Sequence, residues 1–377
     1  MDYSLTEEQE MLRKMARDFL STECPKSLVR EMAEDETGHP LELWEKMSEI
    51  GWLGLVIPEQ YGGGGGSFFD LVVLLEEMGR ACLPGPFFST AVLGGLTLLE
   101  AGSDEQKQEL LPNLAQGKLL MTLALTEASA KYTADGIQTK ATQKGEDFFI
   151  QGTKLFVPDA HVSNYLICVA RTKETKVPEE GITLFLLDSK SPGINYTLLK
   201  TISGDKQCEV TFDNVKVPKQ NILGKLNEGW PIVEKVLEKA TIARCAEMVG
   251  AARQVLEMTV DYAKQRMAFG HAIGSFQGIQ FYCATMLSDA DASAFMTYQA
   301  ACLLSEGLPA TQEVAMAKAW VSEKLVQATT AAHRVHGAIG FCEDHDLPLY
   351  FKRAKVWEAS FGGATVHLDK IATAAGI

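Results

Sequence analysis

The sequence predicts an α+β protein of several domains: an all-α N-terminal domain, a small β-barrel or sandwich, and a C-terminal α-helical domain of four-helix-bundle type. Three observations predict it. Apolar residues keep helical spacing over residues 1–120, short β-rich runs fill 121–222, and helical spacing returns over 223–377. A chain of 377 residues also exceeds what one core holds, since single cores stop growing near roughly 250–300 residues.

Thr6-Glu7-Glu8-Gln9 is a capping-box signature, and Met11, Leu12, Met15, Phe19 and Leu20 follow it at helical spacing. Further helices are expected over Leu41–Ile50, Phe68–Ala81 and Phe87–Ala101, with a five-glycine loop at 62–66. The runs 147–157, 165–170, 182–187 and 208–217 are rich in β-branched and aromatic residues, with Gly, Pro, Asn and Lys clusters between them. Helices are then expected from Trp230 to Arg266, Phe276 to Ser305, Thr311 to Val335 and Leu347 to Glu358, with one more at the end.

Composition excludes several functions. No apolar run approaches the ~20 residues of a membrane span. The first eight residues are acidic, with no basic or apolar leader pattern, so a cytoplasmic protein is expected. A net charge of −14 opposes nucleic-acid binding, which needs a basic face. The eight cysteines show no CxxC spacing, which opposes a disulfide framework or a zinc ribbon. His333 and His336, with Glu343 and His345 nearby, lack metal-ligand spacing, and no metal is expected.

The motifs with chemical content are Leu123-Ala-Leu-Thr-Glu127 followed by Gln151-Gly-Thr-Lys154, then Arg266-Met-Ala-Phe-Gly270 with Phe276-Gln277. Two more are His333-Arg-Val-His-Gly-Ala-Ile-Gly-Phe341 and Lys352-Arg-Ala-Lys-Val-Trp-Glu-Ala-Ser-Phe-Gly362. Together they resemble the acyl-CoA dehydrogenase family along nearly the whole chain. The resemblance implies that family's fold, FAD, an acyl-CoA substrate, an electron-transferring flavoprotein as electron acceptor, and a homotetramer or a heterotetramer with a related subunit.

By the same resemblance Leu125, Thr126 and Phe156 contact the flavin ring, Phe156 standing where the family usually has Trp. Arg266, Phe269 and Gln277 reach the FAD of a neighbouring subunit, and Arg334 and Gly337 lie near its adenosine end. An arginine suits pyrophosphate because its planar fork gives paired, charge-assisted hydrogen bonds. Ser89, Thr90 and Leu93 line the acyl cavity, and Lys131 offers a point charge to CoA in a loop that departs from the family pattern.

The base is the main departure. The family's catalytic glutamate stands at the position of Phe361, or else at Ala243 before Arg244, and both are apolar here. Glu247 lies four residues after Ala243, on the same helix face. It is a candidate base, or else a partner of Arg244 or Arg253, and Glu358 is the other candidate. With Ser89 and Thr90 it hints at a dicarboxylic, cyclic or aromatic acyl group. Two rivals remain: a base-less subunit that works beside a catalytic one, and non-redox chemistry such as elimination on a CoA thioester.

Overall fold

The computed structural model describes residues 4–377; Met1 to Tyr3 of the acidic N-terminal stretch lie outside the described residues. Two compact units account for the contacts. One comprises Met1–Val29, Ser67–Leu83 and Thr241–Ile377, and the other Arg30–Gly66 and Pro84–Ala240.

The chain begins with helices α1 (Glu7–Glu23), α2 (Lys26–Glu34), α3 (Leu41–Glu49), α4 (Phe68–Ala81), α5 (Leu96–Ala101) and α6 (Asp104–Ala115). Thr6, Ser67 and Ser103 each open a helix with a complete capping box, in which the hydroxyl accepts an amide of the first turn that has no partner within the helix. Strands follow: β1 (Met121–Ala124), β2 (Lys140–Lys144), β3 (Asp147–Pro158), β4 (Tyr165–Arg171), β5 (Ile182–Asp188), β6 (Ile194–Leu199), β7 (Gln207–Pro218) and β8 (Ile222–Leu223). The last helices are α7 (Trp230–Gln265), α8 (Gln277–Ser305), α9 (Thr311–His336), α10 (Leu347–Ala359) and α11 (Ala364–Ala374).

In the unit that holds the strands, one sheet runs β6-β7-β3-β2-β4-β5-β8, and β1 pairs with β4 in parallel. Phe148 of β3, Leu166 and Cys168 of β4, Phe185 of β5 and Phe212 of β7 share one core, so the sheet curls over its own inner face. The four β-rich runs of the sequence fall on β3, β4, β5 and β7. The short strands β1, β2, β6 and β8 are additional; β2 is polar and exposed apart from Ala141, and β6 packs Ile194 and Tyr196 on the core between exposed Asn195 and Thr197.

The helix expected over 87–101 also differs. Phe88–Gly95 is wound as a wider π-helix before α5 begins. A Cβ on Gly94 would stand 2.8 Å from the Met121 side chain, so β1 approaches this segment as closely as glycine permits.

In the other unit α9 is the hub, packed by α8, α10 and α11, while α4 lies against α1 and α8. The crossing of α4 with α7 is tighter still. A Cβ on Gly79 would meet the Glu247 carbonyl oxygen at 2.0 Å, and one on Gly250 would meet that of Glu76 at 1.7 Å. Backbones touch at two points, which fixes the level of Glu247 on α7. Beside this crossing Glu76 and Glu77 are almost fully buried. Glu76 is paired with Arg253 at 3.2 Å and bonded by the Tyr298 hydroxyl, and Glu77 takes the Arg17 fork at 3.0 and 2.7 Å.

Candidate active site

Glu247 is buried on α7, and its carboxylate is paired with Arg244 one turn earlier. Burial pushes its pKa above the ordinary carboxylate range, while Arg244 and then Arg353 pull it back down. Arg253, the other partner considered from sequence, goes to Glu76 instead. The Arg244 guanidinium lies 5.4 Å from the centre of the Trp357 ring and that of Arg353 lies 5.6 Å from it, so the indole on α10 is covered by two cations. A buried carboxyl, its arginine and the helix leading to Phe361 thus form one connected group.

Phe361 follows α10 with φ of +58°, a conformation that costs a bulky residue about 1–3 kcal/mol and persists only where neighbours enforce it. The neighbours are two buried side chains. Lys318 of α9 donates from Nζ to the carbonyls of Trp357 at 2.7 Å and Glu358 at 3.2 Å. His367 of α11 bonds the Phe361 carbonyl through Nε2 at 3.0 Å. Because a carbonyl only accepts, Nε2 carries the proton, and Nδ1 is left buried without a hydrogen-bond partner among the described residues. Burial lowers both groups, Lys318 to about 8 and His367 to about 4. Glu358 is part-exposed and paired with Lys355 at 3.3 Å, which describes a surface ion pair.

The strand unit holds the positions assigned to the flavin ring. Glu127 accepts the amides of Gln138 and Thr139 and a 2.6 Å bond from Lys154, which is fully buried and also reaches the Leu125 carbonyl at 3.0 Å. That knot fixes the strand end at Leu125 and Thr126. Leu155 N–H donates to the Thr126 carbonyl at 2.8 Å and sets Phe156 beside it, half exposed and at φ of +56°. Ser89 donates to Asp159 at 2.5 Å, and the Thr90 hydroxyl accepts the Met121 amide at 3.3 Å. Both hydroxyls are therefore engaged within the fold, whereas Leu93 is a buried apolar residue of the π-wound segment. Lys131 is paired with Asp135 at 2.5 Å, so its charge is locally balanced.

Arg266 leads into a hairpin of β9 (Met267–Ala268) and β10 (His271–Ala272), whose two-residue loop is Phe269-Gly270. Both loop residues have positive φ, +53° and +82°, as a type I′ turn requires. The glycine therefore closes a hairpin and does not cap the preceding helix, which ends at Gln265. Phe269 is 93% exposed at its tip, and Arg266 and Gln277 are exposed beside it. Arg334 is exposed on the last turn of α9, and Gly337 follows with φ of +64° and open space where a Cβ would stand.

Comparison with known proteins decides the family. Sequence profiles of the acyl-CoA dehydrogenase N-terminal, middle and C-terminal domains match residues 6–118, 122–215 and 227–376. The chain is 34% identical to a probable acyl-CoA dehydrogenase, YngJ, of Bacillus subtilis over 97% of both chains. The chain belongs to the acyl-CoA dehydrogenase family. It is 31% identical to the caffeyl-CoA reductase-Etf complex subunit CarC of Acetobacterium woodii, over 96% of each. The structure of butyryl-CoA dehydrogenase from Megasphaera elsdenii superposes with a TM-score of 0.92 at 29% identity, covering all of both chains.

An acyl-CoA dehydrogenase is an oxidoreductase of CH–CH groups in acyl-CoA thioesters, and the family is FAD-dependent. The residues present here fit that cofactor. Phe156 and Phe269 are both exposed aromatics held at positive φ, with faces free to pack on a planar ring. Arg266 supplies an exposed fork for phosphate, and the Gly337 turn leaves room for close backbone approach. Arg266→Ala is expected to weaken FAD binding by about 1.5–3 kcal/mol, roughly 10–150-fold in Kd. Titration of the folded apoprotein with FAD checks it, and an unchanged Kd removes Arg266 from the cofactor site.

Lys318 and His367 escaped the sequence reading. The available signal was a lone lysine in the apolar run Ala315-Met-Ala-Lys-Ala-Trp320, where burial demands a partner.

Proposed function

We propose that this chain carries out FAD-dependent α,β-dehydrogenation of an acyl-CoA thioester, with Glu247 as the base and an electron-transferring flavoprotein as acceptor. The carrying observation is the buried Glu247 carboxyl, raised in pKa by burial yet held next to Arg244. A base for a weakly acidic α-proton needs a raised pKa, and Arg244 preserves enough of the ionised form for it to act. Glu247 takes the α-proton, and the electron pair of that bond forms the C=C as the β-hydrogen leaves with its own pair. Bound FAD supplies the acceptor for that hydride. In this reading Phe361 supplies apolar wall for the acyl group, and Ser89, Thr90, Leu93 and Lys131 remain substrate-side positions.

Leu125, Thr126 and Phe156 serve the flavin ring, and Arg266, Phe269, Gln277, Arg334 and Gly337 serve the rest of the cofactor. Domain boundaries at 1–120, 121–222 and 223–377 follow the change from helices to strands and back, and the three profile matches support them. A tetramer is supported by exposed Phe269, Phe281, Leu287 and Phe295, apolar surface that a second copy or a related subunit would cover. A cytoplasmic location is part of this reading; among the described residues no helix is long and apolar enough to cross a membrane. A relative named as a subunit of a reductase-Etf complex supports an electron-transferring flavoprotein as redox partner.

Phe361 favours a second reading, a subunit that binds beside a chain carrying the family's glutamate. Anaerobic mixing of the purified, FAD-loaded chain with a panel of acyl-CoA thioesters separates the two. Bleaching of the flavin by at least one saturated thioester is the expected result. No bleaching by any of them, in a protein that keeps its flavin, assigns the chain to the partner role.

A further inference from the structure

The carbonyl end of α10 is held from two sides by side chains that lie far from it in sequence. A helix leaves its last four carbonyls without intrahelical partners, and buried ones need donors. Here Trp357 and Glu358 receive Lys318, and Phe361 receives His367. Lys318 and His367 are themselves buried, so each gives up hydration to make these bonds. Between the two contact points the backbone turns into the left-handed conformation at Phe361, and Gly362 just beyond is also at positive φ. The same short segment carries Trp357, whose ring lies under Arg244, the partner of Glu247.

We propose that Lys318 and His367 are a pair of positioning residues that clamp the 357–361 segment and thereby set the place of the Trp357–Arg244–Glu247 group and of the Phe361 wall. The proposal rests on the reading of Glu247 as the base. A displacement of about 1 Å at a reacting group costs on the order of a hundredfold in rate, so a clamp of this kind has leverage without touching substrate. The neutral His367 ring suffices as donor, and an amide donor of similar reach can replace it.

The test compares His367→Leu, which removes the donor, with His367→Gln, which keeps one, and adds Lys318→Met at the other contact. Each holoprotein is examined by hydrogen exchange with mass spectrometry and by steady-state kinetics with the best acyl-CoA of the panel. His367→Leu and Lys318→Met are expected to speed exchange over residues 356–363 and leave the strands β3 and β7 protected. They are expected to lower kcat about tenfold or more with KM nearly unchanged, and His367→Gln recovers part of both effects.

Unchanged exchange and kcat in a folded His367→Leu protein overturns the proposal, as does a Gln variant no better than Leu. If neither Leu nor Met variant folds, the pair serves the stability of the bundle alone and the positioning role is lost. Exchange over 356–363 reads the clamp without turnover. A Glu247→Gln protein with full activity therefore sinks the base assignment separately.

Discussion

Glu247→Gln is expected to lower turnover by about 10²–10⁴-fold, the usual cost of removing a general base, while fold and flavin content stay intact. The substitution keeps the shape of the side chain and leaves Arg244 a carbonyl oxygen to bond. Stability gives a control with a definite sign. Burial raises the folded-state pKa of Glu247 above its unfolded value, so the folded protein binds the extra proton and stability falls as pH rises between the two values. Once pH exceeds the folded-state value, the wild type carries that penalty in full. A neutral glutamine removes it, so Glu247→Gln should be at least as stable as wild type, and its loss of activity cannot be ascribed to unfolding.

The raised pKa also places the acid limb of kcat above the range of an ordinary carboxylate, with activity falling as pH drops through it and the limb absent from the residual rate of the variant. Wild-type turnover by Glu247→Gln defeats the assignment. In that event Phe361→Glu becomes the informative protein, because it puts a carboxylate at the end of the α10 segment held by Lys318 and His367.

Local signals of this fold were legible because they are local in their physics. Thr6 and Gln9 announce a capping box within four residues, and the runs at 147–157 and 208–217 announce β3 and β7 through β-branched and aromatic content. Arg266, Phe269 and Gly270 were legible as a motif, but their backbone geometry was not. The structure settles it as a hairpin because Phe269 also adopts positive φ, which a helix end does not require. Glu247 was visible as an acid in an apolar helix, while its choice of Arg244 over Arg253 depends on how α4 and α8 approach α7. Lys318 and His367 lie 43 and 6 residues from Phe361 on two different helices, and only packing brings them to one turn. The π-wound segment at Phe88–Gly95 was equally illegible, since the neighbour it packs against at Gly94 is Met121, far along the chain.

Arg17→Met is expected to destabilise the protein by about 3–5 kcal/mol, because it leaves the buried Glu77 carboxylate without its fork. Glu76 and Glu77 sit in the apolar stretch Val72-Val-Leu-Leu-Glu-Glu-Met78 of α4, each side chain 1% exposed. Arg17 spans both Glu77 oxygens at 3.0 and 2.7 Å, whereas Arg80, the other cation near Glu77, is 4.0 Å away and gives its fork to Glu257. A bidentate bond to a buried carboxylate is the kind whose loss is costly, since the charge left behind keeps its desolvation penalty and loses the compensation.

The double variant Arg17→Met/Glu77→Met separates that penalty from the net worth of the pair. Removing both charges takes away the attraction and the desolvation cost together, so the double variant should be more stable than Arg17→Met alone. Urea unfolding at matched FAD saturation measures both, since bound cofactor adds its own stabilisation. A loss under about 1 kcal/mol for Arg17→Met, or a double variant weaker than the single, shows that Arg80 already compensates Glu77. The expected order matters for the site as well. Glu76 and Gly79, one turn apart on α4, form the face that meets Gly250 and Glu247, so a displaced α4 would move the candidate base as well.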